Sequence, residues 1–239
     1  MKKFLFILPL IVTPLIFAEV NDPLEGVNRT FFNINEKVDE VALKPIALTY
    51  SKTPDPIKNG ITNFFRNLKE IDNTLNQVLQ GKPKYAANDL SRFLINSTLG
   101  LGGILDPASS MGLERHDEDF GQTLGLWGVS PGPYLMVPFL GPSSTRDLLS
   151  RPISSFLEVT FHMDDSNVRL SLSALDAIET RERLLEVESL LSGDKYNFVR
   201  DSYSQSREYE IKDGLNIEDE LLQQDALKMI NKFIQTLPE

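Results

Sequence analysis

Cysteine is absent from this chain of 239 residues. Its absence excludes disulfide bonds, thiolate metal sites and a cysteine nucleophile. For the same reason, we expect the protein not to carry a lipid on an N-terminal cysteine. The folded state must therefore be stabilised by burial alone, which a chain of this length can achieve.

Charge is missing from one long segment. Residues 120–145 read FGQTLGLWGVSPGPYLMVPFLGPSST and contain no Lys, Arg, Asp or Glu, in a chain that is 24% charged. The segment exceeds the roughly 20 residues that a helix needs to cross a bilayer, but nine of its residues are Gly or Pro. Irregular backbone survives at membrane depth only where protein or a water-lined cavity covers it. The segment therefore indicates either a buried loop or the wall of a lipid- or water-filled passage.

Positive charge is also scarce. Lys and Arg number 24 against 34 Asp and Glu, which gives a net charge of −10. Binding to a nucleic-acid backbone requires clustered Lys and Arg, so we expect no nucleic-acid partner. The same imbalance argues against a purely electrostatic attachment to anionic lipid.

Residues suited to catalysis are few. The two histidines are His116, in the charge run of residues 114–119, and His162. We interpret the charge run as a solvated turn rather than a metal site. Ser130 and a glycine run at residues 100–103 give weak support for a hydrolase and for a phosphate loop, respectively. The sequence therefore predicts no catalytic residue, no bound metal and no cofactor.

The N-terminus has the layout of a secretory signal peptide. Lys2 and Lys3 supply positive charge, residues 4–17 form an apolar core, and Ala18 ends it. We predict a signal peptide over residues 1–18. The alternative is a retained membrane anchor, although the apolar run is short for a spanning helix.

Apolar periodicity predicts a mainly α fold with little or no β structure. Asp22 and Asp55 each precede a proline, a pattern that indicates a capping residue at a helix start. The only strand signal covers residues 134–140. We predict one compact helical domain over residues 19–214 and a C-terminal amphipathic helix within residues 215–239. Helical patterns cover residues 24–38, 57–79, 86–99, 145–157, 168–178, 184–191, 196–211 and 217–237.

Several short motifs resemble the signature of the MlaA (VacJ) family. The resemblance extends over roughly residues 22–214 and includes an N-terminal DPLEG motif at 22–26 and a glycine turn at 99–103. Its most specific part is central. That part consists of DFGQTLG at 119–125, WGV at 127–129, PGPY at 131–134, LGPSS at 140–144 and RD at 146–147.

The resemblance implies a ring-shaped helical protein at the periplasmic leaflet of the outer membrane in a Gram-negative cell, usually beside a trimeric porin. A central amphipathic passage would let phospholipid misplaced in the outer leaflet move toward a soluble periplasmic carrier, and so maintain lipid asymmetry. No covalent chemistry is implied. One departure is that family members are typically anchored through a lipidated cysteine, which this chain lacks.

Candidates for lining the passage or facing the membrane combine aromatic, amide and charged side chains. Arg146 and Asp147 face the headgroup or pair with each other, and residues 32–35 border the passage or pack in the core. Two alternatives stay open: a lipid-cleaving hydrolase, and a structural porin-associated protein without a transport role. The candidate residues are Phe32, Asn33, Asn35, Leu101, Phe120, Trp127, Tyr134, Phe139, Arg146 and Asp147.

Overall fold

A computed structural model describes residues 20–188 and 193–213 of the chain. The predicted signal peptide and the predicted helix at residues 217–237 lie outside these ranges. Within them the fold is mainly α, as predicted, with one two-stranded sheet. The ring shape stays a prediction.

The N-terminal part is a nearly continuous helical run. Helix α1 (Glu25–Val38) passes through a π-helical turn (Asp39–Leu43) into α2 (Lys44–Tyr50). The predicted cap at Asp22 is wrong, because Leu24 precedes α1 without a side-chain cap. The Asp22 carboxylate instead accepts hydrogen bonds from Asn28 Nδ2 at 2.7 Å and from the Tyr196 hydroxyl at 2.5 Å. It therefore joins the start of α1 to a helix near the C-terminal end of the described chain.

Two long helices, α3 (Asp55–Leu79) and α4 (Pro83–Thr98), form the largest helix pair. The predicted cap at Asp55 is also wrong, since Asp55 lies inside the first turn and pairs with Lys58 at 3.2 Å. Helix α4 begins three residues before the predicted start, because Pro83 can occupy the first turn, where a backbone N–H is not needed. Gly81, with φ +74°, makes the turn between them.

The glycine turn that follows α4 is tight. A Cβ added at Gly103, where φ is +92°, would lie 2.6 Å from the Cβ of Asn67 on α3. A short helix, α5 (Pro107–Ser110), comes next and is capped by Asp106. Glycine at position 103 therefore lets the turn lie directly against α3.

The charge run at residues 114–119 is only partly the solvated turn that the sequence predicted, since Glu114 and Asp117 are exposed but Glu118 is buried. The buried Glu118 has two partners. Its carboxylate accepts a hydrogen bond from Gln80 Nε2 at 2.7 Å, and its backbone N–H donates to Asn73 Oδ1 at 3.0 Å. His116 Nδ1 lies 2.8 Å from a buried Asp89 oxygen. Within the described residues, no group of His, Asp and Glu could hold a metal ion.

The charge-poor segment contains a helix that periodicity did not predict. Helix α6 (Phe120–Leu126) begins where the Asp119 side chain accepts the Gln122 N–H at 2.8 Å. The predicted strand at residues 134–140 is shorter in the structure and ends at Val137. This strand, β1 (Tyr134–Val137), forms a hairpin with β2 (Gly141–Ser144), in which Tyr134 lies opposite Ser144.

Four helical elements complete the described fold. Ser144 caps α7, since its Oγ accepts the Asp147 N–H at 3.1 Å. The two apolar patterns at 168–178 and 184–191 belong to one helix as far as Glu188. The elements are α7 (Thr145–Leu157), a 3₁₀ turn (Val159–His162), α8 (Ser166–Glu188) and α9 (Lys195–Ile211).

Burial in this fold is inverted relative to a water-soluble domain. Among the described residues, eighteen buried side chains are polar or charged, whereas 33 large apolar side chains are exposed. Exposed apolar surface on this scale marks an interaction site or a membrane-facing surface. No described helix combines the length and the apolar character needed to cross a bilayer. The buried apolar residues are Ala47, Phe65, Ala86, Ala108, Tyr134, Met136 and Tyr196.

Candidate functional site

An amphipathic cavity of about 490 Å³ lies between α3, the tip of the hairpin, the end of α7 and α8. Its lining combines apolar side chains with carboxylates and cations. The lining residues are Phe65, Leu68, Lys69, Asp72, Phe139, Leu140, Glu158, Val159, Thr160, Leu172, Ser173, Asp176, Ala177, Thr180, Arg181 and Leu184.

Three carboxylates line the cavity, those of Asp72, Glu158 and Asp176. Desolvation, together with the negative charges of Glu158 and Asp119, raises the pKa of Asp72 to about 7. The pKa of Glu158 is also raised, mainly by desolvation, and the charge of Asp176 contributes in the same direction. Lys69 opposes both shifts. Glu158, just after α7, therefore repels both Asp72 on α3 and Asp176 on α8.

Arg181 also lines the cavity, but its guanidinium group is paired with carboxylates outside the cavity. Its Nε and Nη2 donate to the two oxygens of Asp39 at 2.7 and 2.8 Å, and Nη2 also donates to Glu188 at 2.7 Å. Lys44 pairs with the same Glu188 at 2.8 Å. This cluster attaches α8 to the π-helical turn and to α2.

The hairpin tip is positioned over the cavity by Asn35. The Asn35 side chain accepts the Phe139 N–H at 2.8 Å and donates to the Val137 carbonyl at 3.0 Å. Phe139 has a φ of +62°, which is uncommon for a bulky residue, and its ring is 76% exposed. The structure therefore brings two sequence candidates together, with Asn35 bonded to the hairpin tip and Phe139 in the cavity lining.

The candidates of a second group are exposed or pack against an exposed residue. Trp127 is 54% exposed, and its Nε1 donates to the Leu79 carbonyl at 3.2 Å. Phe120 packs edge-to-face with Trp127 at a centroid distance of 6.2 Å. Leu101, which has a φ of +56°, is exposed at the glycine turn. The interpretation of residues 120–145 as a buried loop is wrong for residues 126–131, which are all exposed.

Arg146 and Asp147 are buried and pair with each other, at 2.9 Å between Nε and Oδ1. Asp147 also accepts hydrogen bonds from the Tyr203 hydroxyl at 2.5 Å and from Arg207 Nε at 3.2 Å. Burial alone would raise the pKa of Asp147, but these hydrogen bonds and the charge of Arg207 hold it at about 2. The pair therefore joins α7 to α9.

The remaining candidates belong to the aromatic core or its edge. Tyr134 is buried and packs edge-to-face with Tyr196 and Tyr203, at centroid distances of 6.2 and 6.0 Å. Phe32 packs against Tyr196 at 5.7 Å, whereas Asn33 is exposed. Whether any of the ten candidates contacts lipid stays a prediction.

Sequence reasoning missed the carboxylates of the cavity. Asp72 lies four residues after Leu68 and three before Leu75, so it interrupts an apolar helical stripe, which is a weak signal. Glu158 and Asp176 lie more than 80 residues further along the chain and come near Asp72 only through tertiary packing. No pattern of spacing connects them.

Comparison with known proteins places the chain in a family. The sequence model of the MlaA lipoprotein family matches residues 20–210. The intermembrane phospholipid transport system lipoprotein MlaA of Escherichia coli K12 is 37% identical over 196 residues, covering 79% of this chain and 78% of that protein. The Haemophilus influenzae protein of the same name is 32% identical over 222 residues, covering 90% and 89%.

A solved structure agrees with these relatives. It comes from a study of the structural basis for maintenance of bacterial outer membrane lipid asymmetry, and it superimposes with a TM-score of 0.72 at 34% identity. The match covers 80% of this chain and 98% of that chain. The chain therefore belongs to the MlaA lipoprotein family.

Proposed function

We propose that this protein is the outer-membrane component of a phospholipid transport system. It moves mislocalised phospholipid from the outer leaflet toward a periplasmic carrier and so maintains lipid asymmetry. The observation that carries the proposal is the inverted burial of the fold combined with an amphipathic cavity. Relatives of similar length are named as components of intermembrane phospholipid transport.

The physical properties of a phospholipid match the cavity. The molecule has apolar chains and a charged headgroup, and a passage for it needs an apolar wall next to a polar one. Phe139 and Leu140 supply apolar surface, and Lys69 and Asp72 supply charge. A volume of about 490 Å³ lies within the usual range for ligand sites.

The exposed apolar surface supports attachment to the outer membrane without a lipidated cysteine. Amphipathic aromatic rings such as that of Trp127 are favourable at a membrane interface. A trimeric porin and a soluble carrier are the partners that we propose on either side of the transfer step. The protein acts on its lipid without covalent chemistry and without a cofactor.

The proposal is tested by measuring phospholipid in the outer leaflet of a strain that lacks the gene. Surface-exposed phospholipid should rise in the deletion strain and return to normal when this chain is supplied. The chain should also fractionate with outer membranes and co-purify with phospholipid. Normal asymmetry in the deletion strain would instead favour a structural role beside a porin.

The serines at positions 130, 144 and 150 give little support to the lipid-cleaving alternative. Residues 128–132 (GVSPG) fit the G-x-S-x-G pattern, but Ser130 lies in an exposed loop that follows a helix and precedes a strand. A hydrolase nucleophile needs the opposite context, a turn from strand to helix. Ser144 caps α7, and Ser150 donates to the Asp147 carbonyl at 2.8 Å. Replacing these serines without changing surface phospholipid would dismiss this alternative.

A further inference from the structure

The amphipathic cavity is lined by three carboxylates, Asp72, Glu158 and Asp176, and by two cations, Lys69 and Arg181. Within the described residues, no ion pair reaches Asp72, Glu158 or Asp176. Arg181 is held by two carboxylates outside the cavity, as described above. Lys69 is therefore the main cation available to three acidic side chains. A ligand that brings positive charge would offset this imbalance.

The arrangement fits an ammonium group better than a metal ion. Hard divalent cations need several oxygen ligands at short, well-defined distances, and no described group of acidic residues provides them. An ammonium group has three rotatable donors and tolerates carboxylates that lie further apart. The apolar surface of Phe139 and Leu140 in the same cavity indicates a ligand that also has an apolar part.

We propose that the cavity selects phospholipids whose headgroup carries an ammonium group, such as phosphatidylethanolamine, over anionic phospholipids such as phosphatidylglycerol. This inference rests on the proposed transport function. The ammonium group lies among Asp72, Glu158 and Asp176, the phosphate lies toward Lys69, and the acyl chains follow the Phe139 side. An anionic headgroup gains only the Lys69 contact and is repelled by the carboxylates.

The test uses the full chain purified in detergent. The protein is loaded with an equimolar mixture of phosphatidylethanolamine and phosphatidylglycerol that have identical acyl chains, and the bound lipids are counted by mass spectrometry. We expect phosphatidylethanolamine to be enriched about fivefold, as one partly desolvated ion pair would provide. A parallel sample contains excess free ethanolamine to test binding of the soluble amine alone.

Variants assign the selectivity to the carboxylates. The isosteric double variant Asp72→Asn/Asp176→Asn should lower the lipid ratio to about one, because the ammonium group loses its partners. Asp176→Lys should favour phosphatidylglycerol. Asp164→Asn, an exposed change outside the cavity, is the matched control and should retain the wild-type ratio. Circular dichroism checks that each variant is folded.

The outcomes separate this inference from the proposed function. Equal recovery of the two lipids by the wild-type protein, with normal total lipid, would overturn selectivity but leave transport standing. Binding of free ethanolamine without any lipid selection would also overturn it. Recovery of no phospholipid at all would count against the transport function itself.

Discussion

Arg92 illustrates how single polar side chains hold the interior together. It is 1% exposed, and its Nε lies 2.8 Å from Glu70 Oε1. Its Nη1 donates to the Leu113 carbonyl at 2.6 Å, and its Nη2 lies 3.1 Å from Asp106. Burying such a pair is costly, and removing one partner leaves a buried charge without compensation. Desolvation already raises the pKa of Glu70.

We therefore expect Arg92→Ala to lower the free energy of unfolding by about 3–5 kcal/mol. Denaturant titration in detergent measures the change. Lys195→Ala is the control, because Lys195 is 45% exposed and its pair with Glu36 is a surface contact. That change should cost about 0–1 kcal/mol. Equal losses for the two variants would show that Arg92 has no special structural role.

The raised pKa of Asp72 predicts that the stability of the protein depends on pH. Its pKa rises from 3.8 to about 7 on folding, so the folded protein binds more protons than the unfolded chain between these values. Stability should therefore fall as pH rises through this window. Asp72→Asn removes the effect and should raise the Tm at pH 8 by about 2–4 °C more than at pH 5. The same gain at both pH values would contradict the assigned pKa, and Asp164→Asn should show no such difference.

At the scale of elements, predictions succeeded where the signal was local and failed where contacts between distant parts of the chain decide the structure. The helix at α7 was predictable because its cap, Ser144, and its apolar stripe are both local. Helix α6 was not, because its glycines disfavour a helix and serve packing instead. A Cβ at Gly121 would lie 2.6 Å from Asp147 Oδ1 and 2.8 Å from Arg207 Nη2. Of the two misassigned caps, Asp22 accepts a hydrogen bond from the distant Tyr196 hydroxyl, whereas Asp55 pairs with Lys58 inside the first turn of α3.

Gly121→Ala should consequently disturb the contacts among α6, α7 and α9. We expect it to lower the free energy of unfolding by about 1–3 kcal/mol, because the added methyl group meets buried charged atoms. Thermal unfolding measures the loss. Gly26→Ala is the control, since Gly26 lies in α1 with nothing within 4 Å of an added Cβ. That variant should be neutral or slightly more stable; a comparable loss there would exclude packing as the cause.

At the scale of the whole molecule, the sequence predicted the helical class and identified a charge-poor segment, but it did not predict the polar interior. Its apolar stripes are normally core positions, and many of them here are exposed. Val78 and Leu94 are 61% and 54% exposed. Periodicity identifies an apolar face but does not distinguish a neighbouring helix from lipid as its partner. The amphipathic cavity could not be predicted from the sequence either, because its lining residues come from distant parts of the chain.

A substitution at Leu101 tests membrane attachment independently of folding. It is 69% exposed and has a φ of +56°, a conformation in which Asn is more favourable than Leu. Leu101→Asn should therefore leave the Tm unchanged or slightly higher, but it should weaken binding to phospholipid vesicles in a flotation assay. Ala is no suitable control at this φ, so Leu184→Asn, an exposed position on α8 within the cavity lining, serves for comparison. Unchanged flotation of Leu101→Asn would place this turn away from the membrane.

The polar interior also determines how the protein responds to temperature. Unfolding normally increases the heat capacity because apolar groups become hydrated, whereas hydration of polar groups lowers it. Here the groups that become exposed are largely amides, carboxylates and guanidinium groups. The heat-capacity increment per residue should therefore be small, and the curve of stability against temperature should be shallow, with little tendency toward cold denaturation.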